Sequence, residues 1–235
     1  MTRPIKLAAA AAGMMFACAA GLFLGAKMAN RTDDAAFGRR VRAYVLTHPE
    51  LLAEAADKLR IAPYRKAIET PFAGAWAGNP KGDVTLVMFT DYNCPYCRVS
   101  APEIERLLAS DPKLKVVWRE MPVLGPQSDA AAAAALAAAR SGRYPAFHHA
   151  LFSGGHPDQR GIAAAAKTVG LAPDDVTAGA RAPEVQVEIA TNLNLARRMG
   201  IQATPFFVIG NHTFEGAVGH DVLAAAVAEA RQAPN

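Results

Sequence analysis

Apolar residues along this chain change their spacing several times, and each change marks an element. Phe37, Val41, Tyr44 and Val45 recur at helical intervals and share one face. Thr47-His48-Pro49-Glu50 reads as a stop and a restart, because proline suits the first turn of a new helix and disfavours helix in the residue before it. Leu51, Leu52, Ala55, Ala56 and Leu59 give that second helix its apolar side. From 70 to 83 the period vanishes into Gly, Pro and Asn, which predicts a linker. Val84 to Thr90 (VTLVMFT) and Leu114 to Arg119 (LKVVWR) are short apolar runs with the character of buried strands. Between them, Pro95 to Leu108 carries Val99, Ile104, Leu107 and Leu108 at helical spacing. Strand, helix and strand within so few residues predict a βαβ unit with parallel strands. Ser128 to Arg140 is helical by alanine propensity alone, and helical patterning continues to about Met199. The alanine run is expected to cover the sheet. Phe206 to Ile209, a Gly-Asn-His turn and a short strand predict a hairpin, and Gly219 to Arg231 a last amphipathic helix. The fold class is α/β, in the order βαβ, helical block, ββα.

Composition changes this picture mainly at the N-terminus. Leu7 to Ala26 is twenty residues without a charge, preceded by Arg3 and Lys6 and closed by Lys27 and Arg31. Residues 1–31 therefore read as an export element, either a cleaved signal peptide or an uncleaved anchor. From residue 27 onward, 23 basic residues face 21 acidic ones. That balance, with no basic patch interleaved with aromatics, argues against a nucleic-acid surface.

The candidate chemistry rests on cysteine. Cys18 is a small apolar residue within the export element, which leaves Cys94 and Cys97. Outside the cytoplasm a structural disulfide is ordinary. A bridge between these two closes almost no loop, however, and stabilisation grows with loop length. Its value lies in forming and breaking. Cys94 stands at the start of a helix, where unpaired N–H groups and the dipole favour thiolate, so it is expected to be the exposed, activated sulfur. Cys97, one turn on, is expected to resolve the mixed disulfide. A zinc site would want four ligands and no second pair exists, and haem attachment would need histidine where Arg98 stands. No metal or other cofactor is expected. The alternative reading is a copper-binding or redox-buffering thiol protein, since soft Cu(I) accepts two thiolates.

The strand leading into CPYC, the helical block, and GIQATPFFVIG before a hairpin and terminal helix together resemble a DsbA-type thiol–disulfide oxidoreductase of the thioredoxin-like superfamily. The likeness covers about residues 79 to 233. VRAYVLTHPELLAEA is similar to the helical stalk of the ScsC-like and Com1-like branch. The resemblance implies a thioredoxin-like domain over 83–235 with a helical insertion at about 125–199. Before it come a helical extension at 32–69, which could serve in oligomerisation, and the linker at 70–82. It implies catalytic Cys94 and Cys97, redox tuning by Pro95 and Tyr96, and a substrate-binding Thr204-Pro205 pair with a cis proline facing the sulfurs. It also implies exported protein substrates with cysteines, a membrane redox partner that reoxidises or reduces the CPYC pair, a possible homo-oligomer, and a periplasmic or other extracytoplasmic location. Oxidase and isomerase or reductase roles stay open. Relatives often bury an acid six residues before the first cysteine, where Met88 stands here. Asp91 is expected nearer the surface, Glu120 is a candidate proton relay, at least one of His148 and His149 is expected to face solvent, and Trp76 and Trp118 are expected to pack.

Overall fold

The computed structural model describes residues 34–232. Among them, five strands form one sheet in the order β1-β3-β2-β4-β5, with β1 (Trp76–Gly78) at one edge. The two central strands, β2 (Val84–Thr90) and β3 (Leu114–Glu120), run parallel, with Val84 opposite Leu114 and Thr90 opposite Glu120. β4 (Phe206–Ile209) lies antiparallel to β2 and turns back into β5 (His212–Glu215). β2 and β3 are buried on both faces, which is why each reads as a nearly unbroken apolar run. Successive residues serve opposite layers, as a pleated strand requires. Leu86, Met88, Val116 and Trp118 join one core, while Val87, Phe89 and Val117 join the other with Ile61, Ile68 and Met199.

The helix α4 (Pro95–Ser110) connects β2 to β3 and buries Cys97, Ala101, Ile104 and Leu107. The last helix, α10 (His220–Gln232), packs beside it through Leu223 and Val227. Between β3 and β4 run α5 (Pro126–Arg140), α6 (Tyr144–Ser153), α7 (Gln159–Thr168), α8 (Pro173–Ala180) and α9 (Pro183–Arg198). Four of these five have proline in the first turn, where its missing N–H costs nothing. The alanine run does not lie over the sheet as expected. Ala131 to Ala139 are buried chiefly among α6, α8 and α9, because methyl side chains let helices approach closely. Gly179 on α8 shows how closely: a Cβ there would stand 3.1 Å from that of Ala137.

The N-terminal boundaries differ from the sequence reading. The chain divides into two compact units between Ala53 and Glu54. The first contains a helix, α1, over 34–47, with Phe37, Val41 and Tyr44 exposed and Tyr44 stacked on His48. The restart at Pro49 is as expected, with α2 spanning Glu50–Ile61. From Glu54 onward, residues expected to belong to a separate extension are built into the redox unit. Asp57 accepts from the Thr213 N–H at 3.1 Å, Arg60 lies over the Phe206 ring, and Ile61 and Ile68 are fully buried. A short helix, α3 (Arg65–Glu69), is held by Arg119 of β3, whose guanidinium donates to the carbonyls of Ala67, Ile68 and Thr70 and to Glu188 and Asn192. The segment expected as a linker, 70–82, carries β1 (Trp76–Gly78), which pairs antiparallel with β3. Ala75 is fully buried, and the Gly74 N–H donates to the Ala139 carbonyl at 3.1 Å. Three residues are too few to show a strand period among glycines and prolines. Residues 1–31 and Cys18 lie outside the described residues. No described helix is long and apolar enough to cross a membrane.

Candidate active site

Cys94 is the N-cap of α4, in extended backbone, and Cys97 follows one turn into the helix. Both are free thiols in this structure. The sequence led to an exposed Cys94, but only 4% of its surface is open, against none for Cys97. The difference between the two sulfurs is therefore electrostatic more than steric. A hydrogen bond from the Cys97 thiol brings the Cys94 pKa down to about 5, against the opposing effect of burial. The Thr204 hydroxyl and the backbone N–H groups of Cys97 and Tyr96 assist. In its thiol form Cys94 Sγ donates to the Thr204 carbonyl at 3.2 Å, a contact that favours the proton. The donors outnumber that single acceptor, so the direction is down. Cys97 moves the opposite way. Burial raises it, as does the hydrogen bond it gives to Cys94, and the Asp91 N–H only partly offsets them.

The remaining expected site residues gather around this pair. Thr204-Pro205 is a cis peptide directly before β4, buried, with Thr204 against Cys94. Pro95 opens α4, and Tyr96 is exposed at its tip with Val99 nearby on the helix. A cleft of about 340 Å³ beside Pro95 is walled by Asn93, Arg98 and the 154–157 loop. Arg98 fixes that loop by donating to the carbonyls of Phe152, Gly154 and Gly155. A cavity of about 770 Å³ lies in the helical block, lined by residues of α5, α7, α8 and α9 and by none of the CPYC or Thr204-Pro205 residues.

Asp91 is not near the surface as expected, being 1% exposed. Its carboxylate accepts from the N–H groups of Asn93, Val123 and Leu124 and from the Ser128 hydroxyl, at 2.7 to 3.1 Å. It ties the loop after β3 to the start of α4 and leaves Val123 and Leu124 exposed.

A second buried group lies beneath. Glu120, at the end of β3, accepts through Oε1 from the hydroxyls of Tyr92, at 3.0 Å, and Tyr144. Its Oε2 has no partner. Burial pushes its pKa up to about 8, although both tyrosine bonds pull the other way. The Tyr92 hydroxyl also meets His148 Nδ1 at 2.8 Å. Since Tyr92 has one proton to give, neutral His148 donates to it while Tyr92 donates to Glu120. Burial holds His148 down at about 3. His149 turns outward to Glu105, so one histidine of the pair faces solvent as expected. Trp118 packs on Tyr144 and His148. The sequence reading raised Glu120 but missed Tyr92 and Tyr144. The signal available was the four-residue spacing of Tyr144 and His148, which puts two polar tips on the apolar face of α6. Among the described residues no group of three or more His, Cys, Asp or Glu side chains is arranged to hold a metal ion.

Comparison with known proteins bears on the family and the fold. Residues 85–228 match the family described as DSBA-like thioredoxin domain, and residues 33–61 match the copper resistance protein ScsC N-terminal domain. A thioredoxin-like oxidoreductase from Silicibacter pomeroyi is 44% identical, with a TM-score of 0.65 over 68% of this chain and 92% of that one. The thiol-disulfide exchange protein alpha-DsbA2 from Wolbachia pipientis is 31% identical, with a TM-score of 0.68 over 75% of this chain and 96% of that one. Among curated proteins, the Na(+)/H(+) antiporter NhaA 3 of Salinispora tropica is 28% identical over 169 residues, or 65% of this chain. The chain spans about a quarter (24%) of that protein's length.

Proposed function

This chain belongs to the DsbA-like thioredoxin-domain family, and from that premise we propose that it is a thiol–disulfide oxidoreductase that oxidises exported proteins through Cys94 and Cys97. The observation that carries the reading is the opposed acidity of the two sulfurs, one favoured as thiolate and its neighbour as thiol. In the oxidised protein the two are joined. A substrate thiolate attacks Cys94 Sγ, the Cys94–Cys97 bond breaks, and Cys97 leaves and takes a proton. A second substrate thiolate then attacks the substrate sulfur of the mixed disulfide, and Cys94 leaves as thiolate. The substrate gains a disulfide, the protein is left as a dithiol, and two electrons have moved. A more acidic sulfur leaves faster, so the depressed Cys94 favours this direction. Thr204-Pro205 lines the approach to Cys94 and would hold the substrate segment, with Pro95 and Tyr96 tuning the pair. Reoxidation falls to a membrane redox partner, and the apolar segment at 1–31 would deliver the chain to an extracytoplasmic compartment. Trapping thiols in living cells with acid and an alkylating agent tests the direction: the Cys94–Cys97 pair is expected as disulfide. A dithiol at steady state would assign reductase or isomerase work instead.

The exposed apolar face of α1 supports self-association. A helix of this length is marginal alone in water, and Phe37, Val41 and Tyr44 gain by covering one another between copies. The chain from residue 32 is expected to scatter light as an oligomer, and the double substitution Phe37→Asp, Tyr44→Asp as a monomer. Equal masses would remove the stalk role.

A further inference from the structure

The cavity in the helical block takes no part in the chemistry at α4. Its volume, about 770 Å³, lies within the range of roughly 300–1,000 Å³ usual for small-molecule sites. Ala133 and Ala134 of α5, Ile162 of α7 and Ile189 of α9 are buried side chains that line it. Asp129 of α5, and Asp174 and Arg181 at the two ends of α8, line it as well and are exposed. Among the described residues none of these three charges forms an ion pair. The recess is not general slackness in the block, because α5 and α8 touch closely where Ala137 meets Gly179.

The charges on α8 have a definite spacing. Asp174, Thr177 and Arg181 follow one another at three and four residues and share one face of the helix. Seven residues of helix rise about 10 Å, which sets the distance from the acidic end to the basic end. An extended peptide advances at most about 3.3–3.6 Å per residue, so a chain of three residues spans the same distance. An acid at the start of a helix and a base at its end also suit the helix dipole. The dipole asks neither for Asp129 on the facing helix nor for an apolar recess beside the charges.

We propose that this cavity is a binding site for free peptides of about three residues. The amino terminus meets Asp174, the carboxyl terminus meets Arg181, and apolar side chains pack on Ala133, Ala134, Ile162 and Ile189. Asp129 brings the lining to two negative charges against one positive, so a peptide with a basic residue is favoured over one with an acidic residue. The interior of a longer chain has neither terminus to offer. The site asks nothing of Cys94 or Cys97, and the inference stands apart from the thiol–disulfide reading.

Calorimetric titration of the full chain with the peptide Leu-Lys-Leu tests it, with saturation expected below about 1 mM. Acetylating the amino terminus, or amidating the carboxyl terminus, is expected to weaken binding by about 10-fold or more, since each change removes a charge-assisted contact. Asp174→Asn is expected to weaken the free peptide by a similar factor and to become insensitive to acetylation while staying sensitive to amidation. Arg181→Gln is expected to show the reverse pattern. Both positions are exposed, so both variants keep the fold. Leu-Glu-Leu is expected to bind the wild type more weakly than Leu-Lys-Leu, and Asp129→Asn to narrow the difference. A peptide capped at both ends that binds as tightly as the free one assigns the cavity to the interior of a longer chain and overturns the proposal. Failure of the wild type to saturate overturns it too. So does wild-type affinity in both variants, the result expected if Asp174 and Arg181 serve only the helix dipole.

Discussion

Cys94→Ser is expected to abolish disulfide exchange, with turnover of a reduced, unfolded substrate falling by roughly 10³-fold or more. The low pKa of Cys94 leaves it almost wholly thiolate at neutral pH, and a serine hydroxyl neither attacks a disulfide nor departs from one. Cys97→Ser should behave differently. Cys94 stays reactive, but a mixed disulfide on it can no longer be resolved from within, so substrate-linked species should accumulate on non-reducing gels. Two inert variants with no adducts would mean that the pair does not divide the work this way. Cys97→Ala, which unlike serine leaves no donor at this position, should raise the Cys94 pKa.

The second large effect links redox state to stability. The Cys94 pKa is depressed from 9.0 to about 5 on folding. A depressed group stabilises the folded state above its unfolded pKa, and that stabilisation is lost as pH falls through the folded one. In the reduced protein the Cys94 contribution is therefore fully present near pH 9 and gone below pH 5. At pH 7 it amounts to about 3 kcal/mol, and the disulfide form lacks it altogether. Glu120 works in the opposite sense, since its pKa is raised from 4.5 to about 8. Its stabilisation is present below the lower value and lost as pH rises through the upper one. It is common to both redox forms, and Cys97, pushed up by burial, keeps its proton below pH 9 in the folded and unfolded chain alike, so between pH 5 and 7 the pH dependence of the difference comes from Cys94. Calorimetry is expected to show the reduced protein unfolding about 5–10 °C above the oxidised protein at neutral pH, with the gap closing toward pH 5. A gap that does not change with pH would remove the stabilised thiolate.

Much of this architecture could be read from spacing alone, because the elements that build the centre are long or strongly patterned. VTLVMFT and LKVVWR are unbroken because both strand faces are buried, and the CPYC pair sits between them where only one connection is possible. Thr204-Pro205 stood out only through the resemblance to the DsbA-type pattern, since a Thr-Pro pair by itself is most often an ordinary turn. What escaped was decided by tertiary contact. β1 has three residues and exists because β3 offers an edge. Asp91 looks like a loop acid until four donors converge on it from Asn93, Val123, Leu124 and Ser128, three of them about thirty or more residues away in sequence. The alanine run shows helix but not its neighbours, since identical methyl groups point nowhere in particular. Tyr92 and Tyr144 are ordinary aromatics in sequence, and only the fold brings both hydroxyls to one carboxyl oxygen.

The adjacency of Arg119 and Glu120 on β3 makes the strand intolerant of slippage. One side chain closes five contacts to α3, its C-terminal flank and α9 behind the sheet, and the next is sealed against Tyr92 and against Tyr144 of α6 in front. Sliding β3 by one residue would exchange them, driving a guanidinium among Tyr92, Tyr144 and His148 and turning a carboxyl toward the Ala67, Ile68 and Thr70 carbonyls. Both misplacements bury an ion among groups that cannot neutralise it. An insertion or deletion inside this strand should therefore be far more damaging than one in the 154–157 loop, and β3 acts as the ruler against which the rest of the sheet is set.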